Sequence, residues 1–381
     1  MNHANKLLQF LNDSKSAYHA VYEISKRLEE AGYTQLVDSK KWEITKGGKY
    51  YTTKGGSSII AFNVGECVED LSLQIVASHS DSPTFKIKPN ADYPNSKYMK
   101  LNVEQYGGVV LSTWLDKPLS IAGRAIIKKE NMVVSELVDF GPNYCLIPNM
   151  PPHINREINS GFKYNVQTDL LPLLGSKKEG VTFKKLLAEK VGCEEKNVLG
   201  QDLFLYPSVE GVIWGSDSEY IGCPRIDNLE CAYTSLTGFI NAGCTNGNLN
   251  VYACFDNEEV GSGTKQGAAS TFLYDTIQRA ITSLGLTQED YLRAVANGMI
   301  VSADNAHALH PNHGELFDAQ NHAYMNEGIA IKHNAAQSYT TEGVSNAVFQ
   351  DICASVNVPT QYFTNRSDLR GGGTLGSISS T

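Results

Sequence analysis

The sequence predicts an α/β protein: a sheet flanked by helices, with a mostly β domain inserted into it. Three observations carry this. The stretches 71–81, 251–255 and 298–303 have the length and β-rich composition of buried strands, and each ends abruptly in polar residues. Apolar residues at helical spacing lie on either side of these runs. Between about 90 and 222 that spacing gives way to β-type runs separated by turn residues. The chain therefore divides into a discontinuous α/β domain, 1–89 and 223–381, and an insertion, 90–222.

In chain order, Leu7, Leu8, Phe10 and Leu11 form one apolar helix face, and Ala17, Val21, Ile24 and Leu28 form a second that stops at Gly32. Residues 47–63 read as a hairpin turning at Lys54-Gly55-Gly56; its glycines lack the Lys-Ser/Thr ending of a phosphate loop. The strand at 71–81 ends in His79 and Asp81. Within the insertion, 106–116, 119–127 and 132–140 are β-type runs, and Pro148, Pro151 and Pro152 impose irregular backbone. A helix fits 182–191, and 202–206 and 211–214 return to strand. The second half opens at Cys223-Pro-Arg-Ile-Asp227-Asn-Leu-Glu230, followed by a helix through Ala232, Leu236 and Phe239. Then come the 251–255 strand, a helix over 265–281, the 298–303 strand, a β-type run around Lys332, a helix over 345–356 and a glycine-rich stretch.

The balance of 41% hydrophobic and 19% charged residues over 381 positions is that of a globular protein. No run approaches the about 18 apolar residues of a membrane helix, and the N-terminus lacks a secretory pattern. A cytoplasmic protein without membrane partners is expected. A net charge of −9 argues against nucleic acid as a partner. Eight cysteines without any C-x-x-C read as scattered thiols.

The chemistry concentrates at the three strand ends. Asp256, Glu258 and Glu259 follow the 251–255 strand, and adjacent glutamates repel unless a cation lies between them. Taken alone, the pair also fits a solvated acidic loop. His79 two residues before Asp81 fits a metal ligand whose imidazole is oriented by a carboxylate, and equally a hydrogen-bonded strand-end histidine. Asp304 ends the third strand. Asp227 with Glu230 fits either a capping box or a ligand. Lys332 reads as an edge-strand lysine. His307, His310 and His313 are spaced like a metal motif, but Pro311 interrupts the helix that would align them. If the three strands neighbour each other in a parallel sheet, their ends converge on one rim. That rim would carry one imidazole and several carboxylates. Such a mixed nitrogen and oxygen set suits zinc, with manganese and cobalt as alternatives, and a carboxylate bridging two ions is the arrangement of two-metal hydrolases.

Ser78-His-Ser-Asp-Ser-Pro83, Trp114-Leu-Asp-Lys-Pro-Leu-Ser-Ile-Ala-Gly-Arg124, Asp256-Asn-Glu-Glu-Val-Gly-Ser262 and Ser302-Ala-Asp-Asn-Ala-His-Ala308 are the motifs that carry a resemblance. The chain resembles the aspartyl aminopeptidase and aminopeptidase I family of dinuclear zinc peptidases over essentially its whole length. The resemblance implies that His79 and Glu259 bind one metal, Asp304 the other, and Asp227 both, with Asp81 orienting His79. It makes Glu258 the general base for metal-activated water attacking the first peptide bond of a short peptide. His153, in Pro152-His-Ile-Asn-Arg156, would reach a neighbouring subunit's site, while His307 and Lys332 would contact substrate, Lys332 facing an acidic first residue. It further implies dodecamers with dimer contacts through the insertion. Relatives are expected to continue past the position of Thr381 with a segment carrying a further histidine ligand, which this chain lacks. The alternative that follows is a metal-deficient assembly or peptide-binding subunit.

Overall fold

The computed structural model describes residues 2–94, 96–243, 245–369, 371–373 and 375. Its first sheet runs in the order Thr34–Gln35, Lys49–Lys54, Ser58–Val64, Asn248–Phe255, Ser72–His79, Met299–Ser302. The last three are mutually parallel. Their register sets Phe255 opposite His79 and Ser302 opposite Ala77, so three strand ends share one rim. Lys49–Lys54 and Ser58–Val64 form the expected hairpin.

Side chains alternate through this sheet with period two. Val251, Ala253 and Phe255 pack with Phe62 and Ile75 against Phe272, Ile277 and Ile281, which belong to helix Phe272–Ser283. Tyr252 and Cys254 face the other way, into a core with Phe10, Ile24 and Leu236 from helices His3–Asp13, Ala17–Glu30 and Ile226–Ala242. Helices cover both faces, which is why the strands read as continuous apolar runs. Each large side chain buried here contributes about 1.5–3 kcal/mol, and together they fix the height of the rim.

The second sheet is antiparallel, in the order Met132–Asp139, Leu119–Lys129, Val198–Pro207, Thr84–Asp92, Tyr98–Tyr106, Leu173–Ser176. It closes over Phe85, Leu101, Ile121 and Leu203, with Phe183 and Leu187 supplied by helix Phe183–Lys190, whose N-cap is Thr182. The chain passes from His79 in one sheet to Thr84 in the other within a few residues, so Asp81 sits at the junction.

Two expected elements differ. The run expected as β over 106–116 ends as strand at Tyr106 and continues as a 3-10 turn, Leu111–Trp114. Gly107 lies at φ +71°, and a Cβ there would stand 3.0 Å from the Cβ of Glu259, so the backbone turns directly beneath the acidic loop. The helix expected from 265 starts at Phe272. The preceding residues fold back on the Glu258 loop, with Ala269 N–H donating to the Ser262 carbonyl, and a Cβ at Gly267 would strike that same carbonyl. Among the described residues seven cysteines are free, and no helix is long and apolar enough to cross a membrane.

Candidate metal centre

His79 is 1% exposed at the end of its strand. Its Nδ1 lies 3.1 Å from the Asp81 carbonyl and 3.2 Å from the Asp81 carboxylate. Its Nε2 is 3.5 Å from Asp227 Oδ1 and 3.8 Å from Glu258 Oε2. Donor atoms of His79, Asp227 and Asp304 lie within 4.8 Å of one another, as do those of His79, Glu258 and Glu259. The glutamates stand on a 3-10 turn, Glu258–Val260, entered through Asn257 at φ 65° and left through Gly261 at φ 95°. Asp81 pins that turn: its carboxylate accepts from the backbone N–H of both Glu258 and Glu259, each at 3.2 Å. Asp227 does not cap its helix. The N-cap position is Arg225, with no side-chain cap bond, and Glu230 accepts from Asn305 Nδ2 at 3.0 Å instead. The Asp227 carbonyl accepts from Ser82 Oγ, and Asn228 Nδ2 donates to the Ala303 carbonyl, which ties this turn to the ends of two strands.

Four carboxylates around one buried imidazole crowd negative charge into a partly buried rim. Burial, followed by the surrounding acids against a partly compensating His79, pushes Glu258 up to about 7 and Glu259 up to about 8. Burial likewise raises Asp304, with Lys332 opposing it. For His79, burial acts to lower the pKa, but hydrogen bonds to Asp227 and Asp81 and the charges of Asp81 and Glu258 outweigh it, holding the imidazole well above its ordinary value. The protons held here are those a cation would replace.

The family model for aminopeptidase I zinc metalloproteases (M18) matches residues 10–381. The chain belongs to the M18 aminopeptidase family. The probable M18 family aminopeptidase 2 of Clostridium acetobutylicum is 43% identical to this M18 chain over 387 residues, 99% of this chain and 89% of the relative. That of Ectopseudomonas mendocina is 36% identical over 98% of this chain and 88% of its own length. Among solved structures, Ape4 in complex with Nbr1 matches with a TM-score of 0.95 at 30% identity, over 99% of this chain and 77% of that one. The mApe1 dodecamer of S. cerevisiae matches with a TM-score of 0.83 at 25% identity, over 98% and 85%. The M18 chain is thus a zinc-dependent aminopeptidase, a hydrolase. The family match runs through Thr381, and the chain spans 88–89% of the length of those two relatives.

The donor set of this aminopeptidase fits the family's metal. One buried imidazole, oriented by a carboxylate on its far nitrogen, faces four carboxylates that can bridge or chelate. Lys332 lies at the rim, its Nζ 3.7 Å from Asp304 Oδ1 and donating to the Asn305 carbonyl at 2.7 Å. His153 and His307 are exposed, and neither belongs to the two donor triads. Sequence reasoning missed two residues. Tyr106, arriving from the second sheet, donates its hydroxyl to Asp81 Oδ2 at 2.7 Å and accepts from Asn257 Nδ2 at 2.9 Å. Asn257 takes the left-handed turn that presents the glutamates, and its Oδ1 accepts from Thr264. The available signal for Tyr106 was its position before Gly107-Gly108, a pair that marks close backbone approach.

Proposed function

We propose that the chain removes the first residue from short peptides at a two-metal centre held by His79, Asp227, Glu259 and Asp304, with Glu258 as general base. The observation that carries this is the placement of two adjacent glutamates beside His79, one available to bind and the other to take a proton. Divalent metal ions, zinc or alternatively manganese or cobalt, supply Lewis-acid polarisation of the scissile carbonyl and of the attacking water. Glu258 accepts a proton from that water and returns it to the leaving amine. Asp81 holds His79 from its Nδ1 side and holds both glutamates through their backbone. Lys332 meets the side chain of an acidic first residue, while His307 contacts substrate and His153 serves a neighbouring subunit. The 90–222 insertion mediates dimer contacts within a discontinuous catalytic domain, in a dodecamer as in the mApe1 neighbour and in the cytoplasm.

The test is cleavage of short peptides with Asp, Glu or Leu first, each with a free or an acetylated amine, after zinc loading. Only the free-amine peptides should be cut, the acidic ones faster. Cleavage of blocked peptides would transfer the chain to deacylase or endopeptidase chemistry. No cleavage, with fewer than two ions retained, would favour the assembly-subunit reading.

Tyr106 is proposed as a positioning residue. Tyr106→Phe keeps the ring packed edge-on against Phe204 and removes the hydroxyl's bonds to Asp81 and Asn257. A hydrogen bond to a charged group contributes about 1.5–3 kcal/mol. Tyr106→Phe should therefore lower kcat on the order of tenfold with KM little changed, and displace the acidic limb of the pH profile. An unchanged profile would show that Asp81 holds its place without the hydroxyl.

A further inference from the structure

A cavity of about 510 Å³ opens beside the metal rim, within the about 300–1,000 Å³ range of small-molecule sites. Asp81, Asp227 and Asp256 are among its walls. Trp114 and Lys117, from the second sheet's domain, line it as well, with Phe204 and Tyr206.

The cations in and around this cavity differ in their partners. Lys15, Lys86 and Lys332 each face a carboxylate within 4.0 Å. Lys117, among the described residues, makes no hydrogen bond or ion pair; its ammonium stands 5.5 Å from the Trp114 ring centre, and burial alone lowers its pKa. The neighbouring Asp116 is turned away, its carboxylate accepting from the Asn149 N–H. Arg225, also on the wall, donates its side chain, among the described residues, only to the Leu11 carbonyl and lies over the Tyr206 ring, with no described acid beside it. The first residues of helix Ala17–Glu30 line the same space, and Ser16 makes no side-chain cap bond to that helix. A partly buried cation without a counter-ion is costly, and here two of them and a helix N-terminus share one cavity. The missing partner is an anion. The same cavity reaches Asp227 of the metal rim, where the aminopeptidase reading places the reacting amide. A molecule that meets both Asp227 and the unpaired cations carries a peptide bond and a carboxylate.

We propose that this cavity seats the part of the peptide that leaves, and that Lys117 binds the C-terminal carboxylate of a di- or tripeptide. The inference rests on the aminopeptidase reading and gives it a substrate class: peptides short enough for both termini to be held at once.

The experiment compares Leu-Ala-Ala with its C-terminal amide on the zinc-loaded chain. The free acid should be preferred on the order of tenfold, expressed in KM. Lys117→Met should bring the ratio of acid to amide towards one, and Lys117→Arg should restore it. Calorimetry of Ala-Ala and its amide on the metal-free chain gives a second readout, with tighter binding of the acid lost in Lys117→Met. Equal treatment of acid and amide by the unaltered chain would overturn the proposal while leaving the aminopeptidase reading intact. So would a Lys117→Met variant that weakens both ligands equally, since that is the signature of a packing role. Discrimination in the metal-free binding without cleavage of any free-amine peptide would keep the pocket and sink the aminopeptidase reading.

Discussion

Glu258→Gln is expected to lower kcat by about three orders of magnitude while zinc content and melting temperature hold. The substitution conserves shape and the ability to hydrogen-bond, but an amide cannot accept the proton from the attacking water, and general-base contributions run to about 10²–10⁴-fold. The fold should tolerate it because the site is overcrowded with negative charge; Glu258 is pushed up to about 7 by burial and its acidic neighbours. Removing one charge relieves that crowding, so the metal-free variant should melt no lower than the parent. Glu259→Gln separates the two roles. If Glu259 is the ligand, its variant loses bound metal along with activity, whereas the Glu258 variant loses activity alone. Metal content measured beside kcat decides between them, and a Glu258→Gln chain within tenfold of the parent would remove the general-base assignment.

Adjacent glutamates, being one residue type, carry no mark of separate roles in the sequence. The rim itself was legible, because a strand covered on both faces must read as a continuous apolar run, and three such runs broke off at His79, Asp256 and Asp304. The register that sets Phe255 opposite His79 completes what those breaks suggested. Asp227 was ambiguous because capping and ligation ask for the same short acidic side chain. The choice is made by backbone: ψ of 110° at Asp227 takes it out of the helix that Glu230 would have shared with it. Tyr106 was illegible for a different reason. Its bond to Asp81 crosses between two sheets, and no periodicity within either strand records a contact made by a hydroxyl at a strand's end. The late start of helix Phe272–Ser283 has the same origin, since apolar Ala268 belongs to the core without belonging to a helix. Patterns report burial first and secondary structure only through it.

Removing metal should abolish activity and make stability depend steeply on pH. In the metal-free folded chain Glu258 is raised to about 7 and Glu259 to about 8, against about 4.5 for a glutamate in the unfolded chain. Between those values the folded state binds protons that the unfolded state does not. The stability this provides is fully present below about pH 4.5 and is lost as pH rises through 7 and then 8. The metal-free melting temperature should therefore fall from pH 6 to pH 9. Zinc acts in the opposite sense, because each bound ion takes the place of protons and stabilises only the folded chain. The rise in melting temperature on zinc loading should be small at pH 6 and grow towards pH 9. Net charge also becomes more negative over this range, so the control is the metal-free Glu258→Gln, Glu259→Gln double variant, whose melting temperature should fall less over the same window. A double variant with the parent's slope would place the pH dependence elsewhere in the chain, and the glutamates would then be sharing the rim at lower electrostatic cost than their burial implies.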